Sequence, residues 1–168
     1  MSISMIQATS PRFANGLRNL AHLLKHGEAH ALSKRYDPQV LLQARLFPDM
    51  PPLLRQVQIA TDTAKGAVAR LAGVELPKFE DNELSFGDLQ ARIDKTIHFI
   101  EHLDATKLDG SETRAIHLKV GGKELHFVGS QYLMGWAWPN FHFHMTTAYC
   151  ILRHNGVEIG KRDFLGRR

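Results

Sequence analysis

A chain of 168 residues, 43% hydrophobic and 23% charged, has the length and apolar content of one globular domain with its own core. Its single cysteine, Cys150, excludes a disulfide within the chain and a cysteine-based zinc cage. The net charge of +4 would suit an anionic partner, but the basic residues are scattered and cluster only at Lys161-Arg162 and Arg167-Arg168, so nucleic-acid binding is not expected.

The opening MSISMIQATSPRF has no basic stretch followed by an apolar run, so it does not read as a signal peptide. No window approaches the ~18 apolar residues of a membrane span. With an unpaired cysteine as well, the expected location is the cytoplasm.

The first helical pattern covers about 2–34, with Phe13, Leu17, Leu20 and Leu24 on one stripe. Ser10-Pro11 bends it or starts a fresh turn, since proline is poor in a helix interior. Tyr36-Asp37-Pro38 breaks it, and Asp37 caps a short helix over 38–46. A second long helix, 51–72, carries Leu53, Val57, Ala60, Ala64, Val68 and Leu71 on one face and stops at Gly73. The segment 74–84 reads as a polar loop. Ser85, with Asp88 three places on, caps a third helix with the stripe Leu89, Ile93, Ile97, Ile100 and Leu103. The period then changes. Residues 116–120 and 123–127 alternate around Gly121-Gly122, the signature of a β-hairpin over about 115–128. A fourth helix, 130–155, is capped by Ser130, kinked or restarted at Pro139, and closed by Asn155-Gly156. The fold class is therefore all-α: one domain over 1–168, a four-helix bundle with a short hairpin inserted before the last helix.

Function turns on the ten histidines. His22 and His26 are four apart, the spacing of a two-ligand metal clamp, as are His98 and His102. Both pairs face away from their helices' apolar stripes, which predicts surface pairs able to take up adventitious nickel or zinc. In the last helix the apolar face holds Ala137, Phe141, Met145, Ala148 and Leu152, and His144 lies within it. His142 and His154 fall outside. Residues two apart on a helix point about 200° apart, so His142 and His144 cannot share one ion. His144 reads either as a core histidine hydrogen-bonded to a neighbouring helix or as a metal ligand or base. Asn140 lies one turn before it. On the second helix, Gln58 and Asp62 form a one-turn polar pair at the edge of the apolar stripe.

The stretches YDPQVLLQARLFPDMPPLLRQVQIATDTAKGAVARLAG (36–73) and PNFHFHMTTAYCILRHNGVEIGKRDFLG (139–166) resemble an uncharacterised bacterial family, domain of unknown function nineteen ninety-three. That family is grouped with the DinB/YfiT-like superfamily, many of whose members are read as metalloenzymes. The resemblance implies a DinB-like, up-down-down-up bundle that is often dimeric. It also implies a divalent metal held by three histidines, one from the second helix and two, four apart, from the fourth. Some superfamily members act as thiol-dependent transferases. Carried over residue by residue, the fourth-helix pair falls on Asn140 and His144, and the second helix contains no histidine. Gln58 and Asp62, or Gln56, are the nearest substitutes. The implied metal set is His144, Asn140, Gln58 and Asp62, an incomplete site for zinc, nickel or iron, since amides bind such ions weakly.

Three functions compete. One is a small-molecule pocket at His144 with no conventional metal. Another is a divalent-metal-dependent transferase or hydrolase. The third is a non-catalytic dimeric interaction protein. A homodimer is expected because Trp136, Trp138 and Phe143 exceed what the core stripe needs. Catalytic residues are not assigned.

Overall fold

The structure, a computed structural model, describes residues 3–167. The expected helix start at residue 2 and the last arginine of the C-terminal basic pair lie outside them. A single helical turn, α1 (Met5–Ala8), is capped by Ser4 and ends at Thr9, whose φ of −109° and ψ of −91° fit neither helix nor strand. α2 (Ser10–Ser33) starts afresh with Pro11 in its first turn, where a missing N–H breaks no helical bond. Of the two outcomes expected at Ser10-Pro11, the fresh start is the one found. α3 (Gln39–Gln43) is shorter than expected because Ala44 returns to extended backbone. Pro38, and not Asp37, takes the N-cap position, though the Asp37 carboxylate still accepts from the Gln39 N–H at 2.9 Å.

α4 (Leu53–Ala72) begins two residues later than expected. Pro52 is extended and disfavours helix at Pro51 before it. Gly73 closes α4 at φ +66°, a left-handed conformation that glycine adopts without strain. α5 (Phe86–His102) starts where Ser85 Oγ accepts from the Asp88 N–H at 3.1 Å. The Asp88 carboxylate reaches one residue further back than a capping box does, accepting from the Leu84 N–H at 3.0 Å. β1 (Ala115–Val120) and β2 (Lys123–Val128) pair antiparallel, with Ile116 opposite Phe127 and His117 opposite His126. Gly121 and Gly122, at φ +56° and +81°, form the tight turn between them.

The last helix corrects two expectations. It starts at Gly129 and not on a Ser130 cap, as α6 (Gly129–Tyr132) with no side-chain cap bond. A side chain at Gly129 would collide with the Ser111 carbonyl, so glycine sets the start. The disturbance expected at Pro139 is a π turn over Leu133–Ala137 just ahead of it, in which the Trp138 N–H reaches five residues back to Leu133 O. α7 (Trp138–His154) follows without a break. Asn155 and Gly156 (φ +88°) end it as expected. A further short helix, α8 (Lys161–Phe164), was not anticipated.

α2 packs against α5 and α7, and α4 packs against α5 and α7, so the four long helices form a ring in the order α2, α5, α4, α7. Arg18 meets Glu101 while Gly27 faces Phe86, so α5 runs against α2. Phe141 lies by Gly16 and Leu152 by Gly27, so α7 runs with α2. A Cβ at either glycine would stand 2.6–2.7 Å from those side chains, and this lets the two helices close up. His144 meets Gln56 and Tyr132 meets Arg70, so α4 runs against α7. The result is an up-down-down-up bundle. α4 and α5 are parallel neighbours, so the connection 73–85 must run back along the bundle. Phe13, Leu17, Leu20 and Leu24 are buried, as are Val57, Val68, Leu89, Ile93 and Ile100 facing them. The hairpin lays Ile116 and Leu118 on the core, and Phe127 stacks near Tyr132 and Trp136. Among the described residues no helix is long and apolar enough to cross a membrane.

Candidate functional site

His144 lies on the inward side of α7, half-buried, and its Nδ1 is 2.7 Å from Gln56 Oε1 on α4. Gln56 is completely buried, and its Nε2 donates to the Pro51 carbonyl at 2.9 Å. A carbonyl can only accept, so the amide nitrogen must face Pro51 and the amide oxygen must face His144. The His144 Nδ1 therefore carries the proton, and in the neutral ring Nε2 carries a lone pair. The His144 pKa lies below its ordinary value. Burial does most of this by disfavouring the charged ring, and the nearby Arg55 guanidinium adds to it. Asn140, one turn earlier, donates from Nδ2 to Trp136 O at 2.7 Å, which leaves its amide oxygen available as an acceptor. His142 and His154 are exposed.

Gln58 and Asp62 belong to a different set of contacts, centred on Arg92 of α5. That side chain is only 2% exposed. Its Nε donates to Thr61 Oγ1 at 2.7 Å, and Nη1 donates to Glu83 Oε1 at 2.9 Å and to the Glu80 carbonyl at 3.0 Å. Nη2 reaches Asp62 at 2.7 Å and Asp81 at 3.0 Å. Burial alone would lower the arginine pKa, but the Glu83 hydrogen bond and the charges of Asp62, Glu83 and Asp81 outweigh it and raise the value. Asp62 also accepts from Lys65 at 2.6 Å. Gln58 donates to Glu83 at 2.7 Å and accepts from Arg55, which in turn pairs with Asp81. The Phe79 ring lies under the ammonium groups of Lys65 and Lys95. This network straps the 73–85 connection onto α4 and α5. Asp62 and Gln58 are committed to cations and to Glu83, while the α4 residue that meets His144 is Gln56.

The surface histidines fall into three pairs. His98 and His102 are exposed and stacked, with ring centroids 3.8 Å apart. His117 and His126 meet across the hairpin, Nδ1 to Nδ1, at 2.6 Å. His22 and His26 bring their Nε2 atoms to 3.2 Å, and a carboxylate converges on this pair. Asp163 of α8 places Oδ1 3.7 Å from His22 Nε2, and the three ligand atoms lie within 4.8 Å of one another. Among the described residues this is the one group of three such side chains that converges, an incomplete metal-binding cluster. The expected surface pair is there, and the acid that joins it was missed. The signal was local: Gly160 followed three residues on by an aspartate, which accepts the Gly160 N–H at 2.7 Å.

An up-down-down-up ring of four helices, with a hairpin ahead of the last and an inward histidine on that helix, defines a DinB-like bundle. The chain belongs to the DUF1993 family, a domain of unknown function, whose profile matches residues 5–165. It is similar to a solved DinB family member protein from Shewanella denitrificans. The two are 40% identical, the match covers 97% of this chain and 92% of that one, and the TM-score is 0.87. No curated protein matches the sequence.

The superfamily's three-histidine site can be tested against the residues at its place. One imidazole and two amides stand there, and Gln56 has already given its oxygen to His144 and its nitrogen to Pro51. That donor set does not fit zinc, which favours imidazole, thiolate and carboxylate.

Proposed function

We propose that this chain is a small-molecule-binding member of the DinB-like bundles, with a site centred on His144 that works by hydrogen bonding and not through the conventional metal. The observation that carries this reading is the relay from Pro51 through Gln56 to His144, which puts the proton on Nδ1 and, in the neutral ring that burial favours, leaves a lone pair on Nε2. Asn140 Oδ1, one turn away on the same helix, supplies a second acceptor. Two acceptors side by side favour a ligand that presents hydrogen-bond donors. Arg55 nearby disfavours a cationic one.

The test is ligand-observed NMR with a library of neutral donor-bearing fragments, run on untagged wild type and on His144→Gln. Fragments that bind wild type and are released by His144→Gln support the reading. A set of binders indifferent to that substitution would overturn it. The metal-dependent transferase or hydrolase reading needs a stoichiometric ion that vanishes with His144. A homodimer remains part of the proposal, supported by Phe143, which is 56% exposed on α7. Of the other two aromatics, Trp136 is packed on the hairpin and Trp138 is half-buried. Light scattering of wild type across a concentration series, repeated with Phe143→Ser, checks this.

A further inference from the structure

We infer that His22, His26 and Asp163 form a binding site for one divalent transition-metal ion of the zinc or nickel kind, on the outer face of α2, and that the ion fastens α8 to the bundle. The first support is distance. Two imidazole nitrogens bound to zinc at about 2.05 Å, at a tetrahedral angle, stand about 3.3 Å apart. The Nε2 atoms of His22 and His26 stand 3.2 Å apart. Asp163 Oδ1 lies 3.7 Å from His22 Nε2, and all three ligand atoms lie within 4.8 Å of one another, so side-chain movement of about an ångström would bring them onto one ion.

The second support is orientation. The other Asp163 oxygen, Oδ2, accepts the Gly160 N–H at 2.7 Å, so the carboxylate is already aimed with one oxygen toward the histidines. Hydrogen bonds of this kind around a ligand set its direction and strengthen binding. The element that carries Asp163 is itself held in place. Asn19, one turn before His22, donates to the Phe164 carbonyl at 3.2 Å, and Phe164 packs edge-on to Tyr149 with ring centroids 5.8 Å apart.

The third support is the contrast within the molecule. His98/His102 has the same four-residue spacing, yet among the described residues no acid converges on it. Imidazole with carboxylate suits zinc and nickel better than magnesium or calcium. Three protein ligands leave a coordination position for water. A cleft of about 390 Å³, lined by Asn15, Asn19, Trp138, His142 and Phe164 among others, adjoins the site through Asn19 and Phe164.

The experiment is calorimetric titration of untagged, chelator-stripped full-length protein with zinc chloride and, separately, nickel chloride. Wild type should take up one ion per chain. His26→Gln should weaken binding at least about 100-fold, because His26 is exposed, so the change disturbs little else, and one ligand is lost. Asp163→Asn keeps an oxygen for Gly160 but loses the charge, and should weaken binding about 10–100-fold, the range typical of a disturbed ligand environment. A double variant, His98→Gln with His102→Gln, should bind like wild type. Saturating zinc should also slow proteolysis between 157 and 167 in wild type and not in His26→Gln. The inference is overturned if wild type takes up no ion. It is equally overturned if the His98/His102 variant loses as much affinity as His26→Gln, since any exposed pair then suffices. Undiminished affinity in Asp163→Asn would show an adventitious two-histidine site with no hold on α8.

Discussion

Gln56 and Gln58 stand two residues apart on α4 and lead into opposite kinds of chemistry. Gln56 turns toward α7 and spends both ends of its amide on neutral partners, Pro51 and His144. Gln58 turns toward α5 and the returning connection, where Arg55, Glu83, Arg92, Asp62 and Asp81 balance one another. The charged corner is closed, since its groups answer each other and its product is a fastened connection. The neutral corner is open, with a ring nitrogen still able to accept. A buried polar group points to function by what it leaves unused more than by how polar it is.

The largest effect should come from the charged corner. Arg92→Met leaves Asp62, Asp81 and Glu83 without their shared cation. Removing one partner of a buried ion pair costs 3–5 kcal/mol, and about 3 kcal/mol is expected here because Asp62 and Asp81 keep more than a third of their side-chain surface in water. Urea unfolding should show it, and a loss within 0.5 kcal/mol would mean that the network is decoration.

Next comes the neutral corner. His144→Ala should cost about 1–3 kcal/mol by stranding the buried Gln56 oxygen. Gln56→Ala should cost a similar amount, and the double variant should cost less than the sum, since both remove one interaction. Strict additivity would break the relay.

The pH dependence is smaller. The folded His144 pKa is depressed, so the unfolded chain takes up that proton more readily. The contribution is therefore present above the unfolded value of about 6.5 and is lost as pH falls through the folded value. The stability gap between wild type and His144→Gln should narrow from pH 7.5 to pH 5, and a gap that widens would reverse the sign argued here. Smallest of all, His142→Ala and His154→Ala should stay within about 0.5 kcal/mol of wild type, because both side chains are exposed.

Most of the bundle was legible in the sequence for reasons of scale. Helices of seventeen residues or more repeat their apolar stripe often enough to fix type and inward face, and the two-glycine turn fixed the hairpin register. Local chemistry placed the ends at Gly73, Ser85 and Gly156. The phase of α7 singled out His144 correctly against His142 and His154. What phase could not decide was which α4 amide would meet it. Gln56 and Gln58 diverge by about 200°, and the choice rests on where α7 docks, a tertiary fact. Arg92 was hidden in plain view, three residues after Leu89 on the core side of α5, in a position that only the acidic connection makes tolerable. α8 spans four residues, too few for any period, and its Asp163 meets His22 from far along the chain.

The ring order also sets a timetable. α2 and α4 are consecutive long helices yet sit diagonally, and α7 fills the gap between them. A chain emerging N-terminal end first at about 5–20 residues per second completes α2, α4 and α5 seconds before α7 exists. For that interval Gly16, Gly27 and the apolar face around Val57 have nothing to close on, and Gln56 has no imidazole to hold. The contacts that close the ring, and the His144 corner with them, can form only after α7 has emerged.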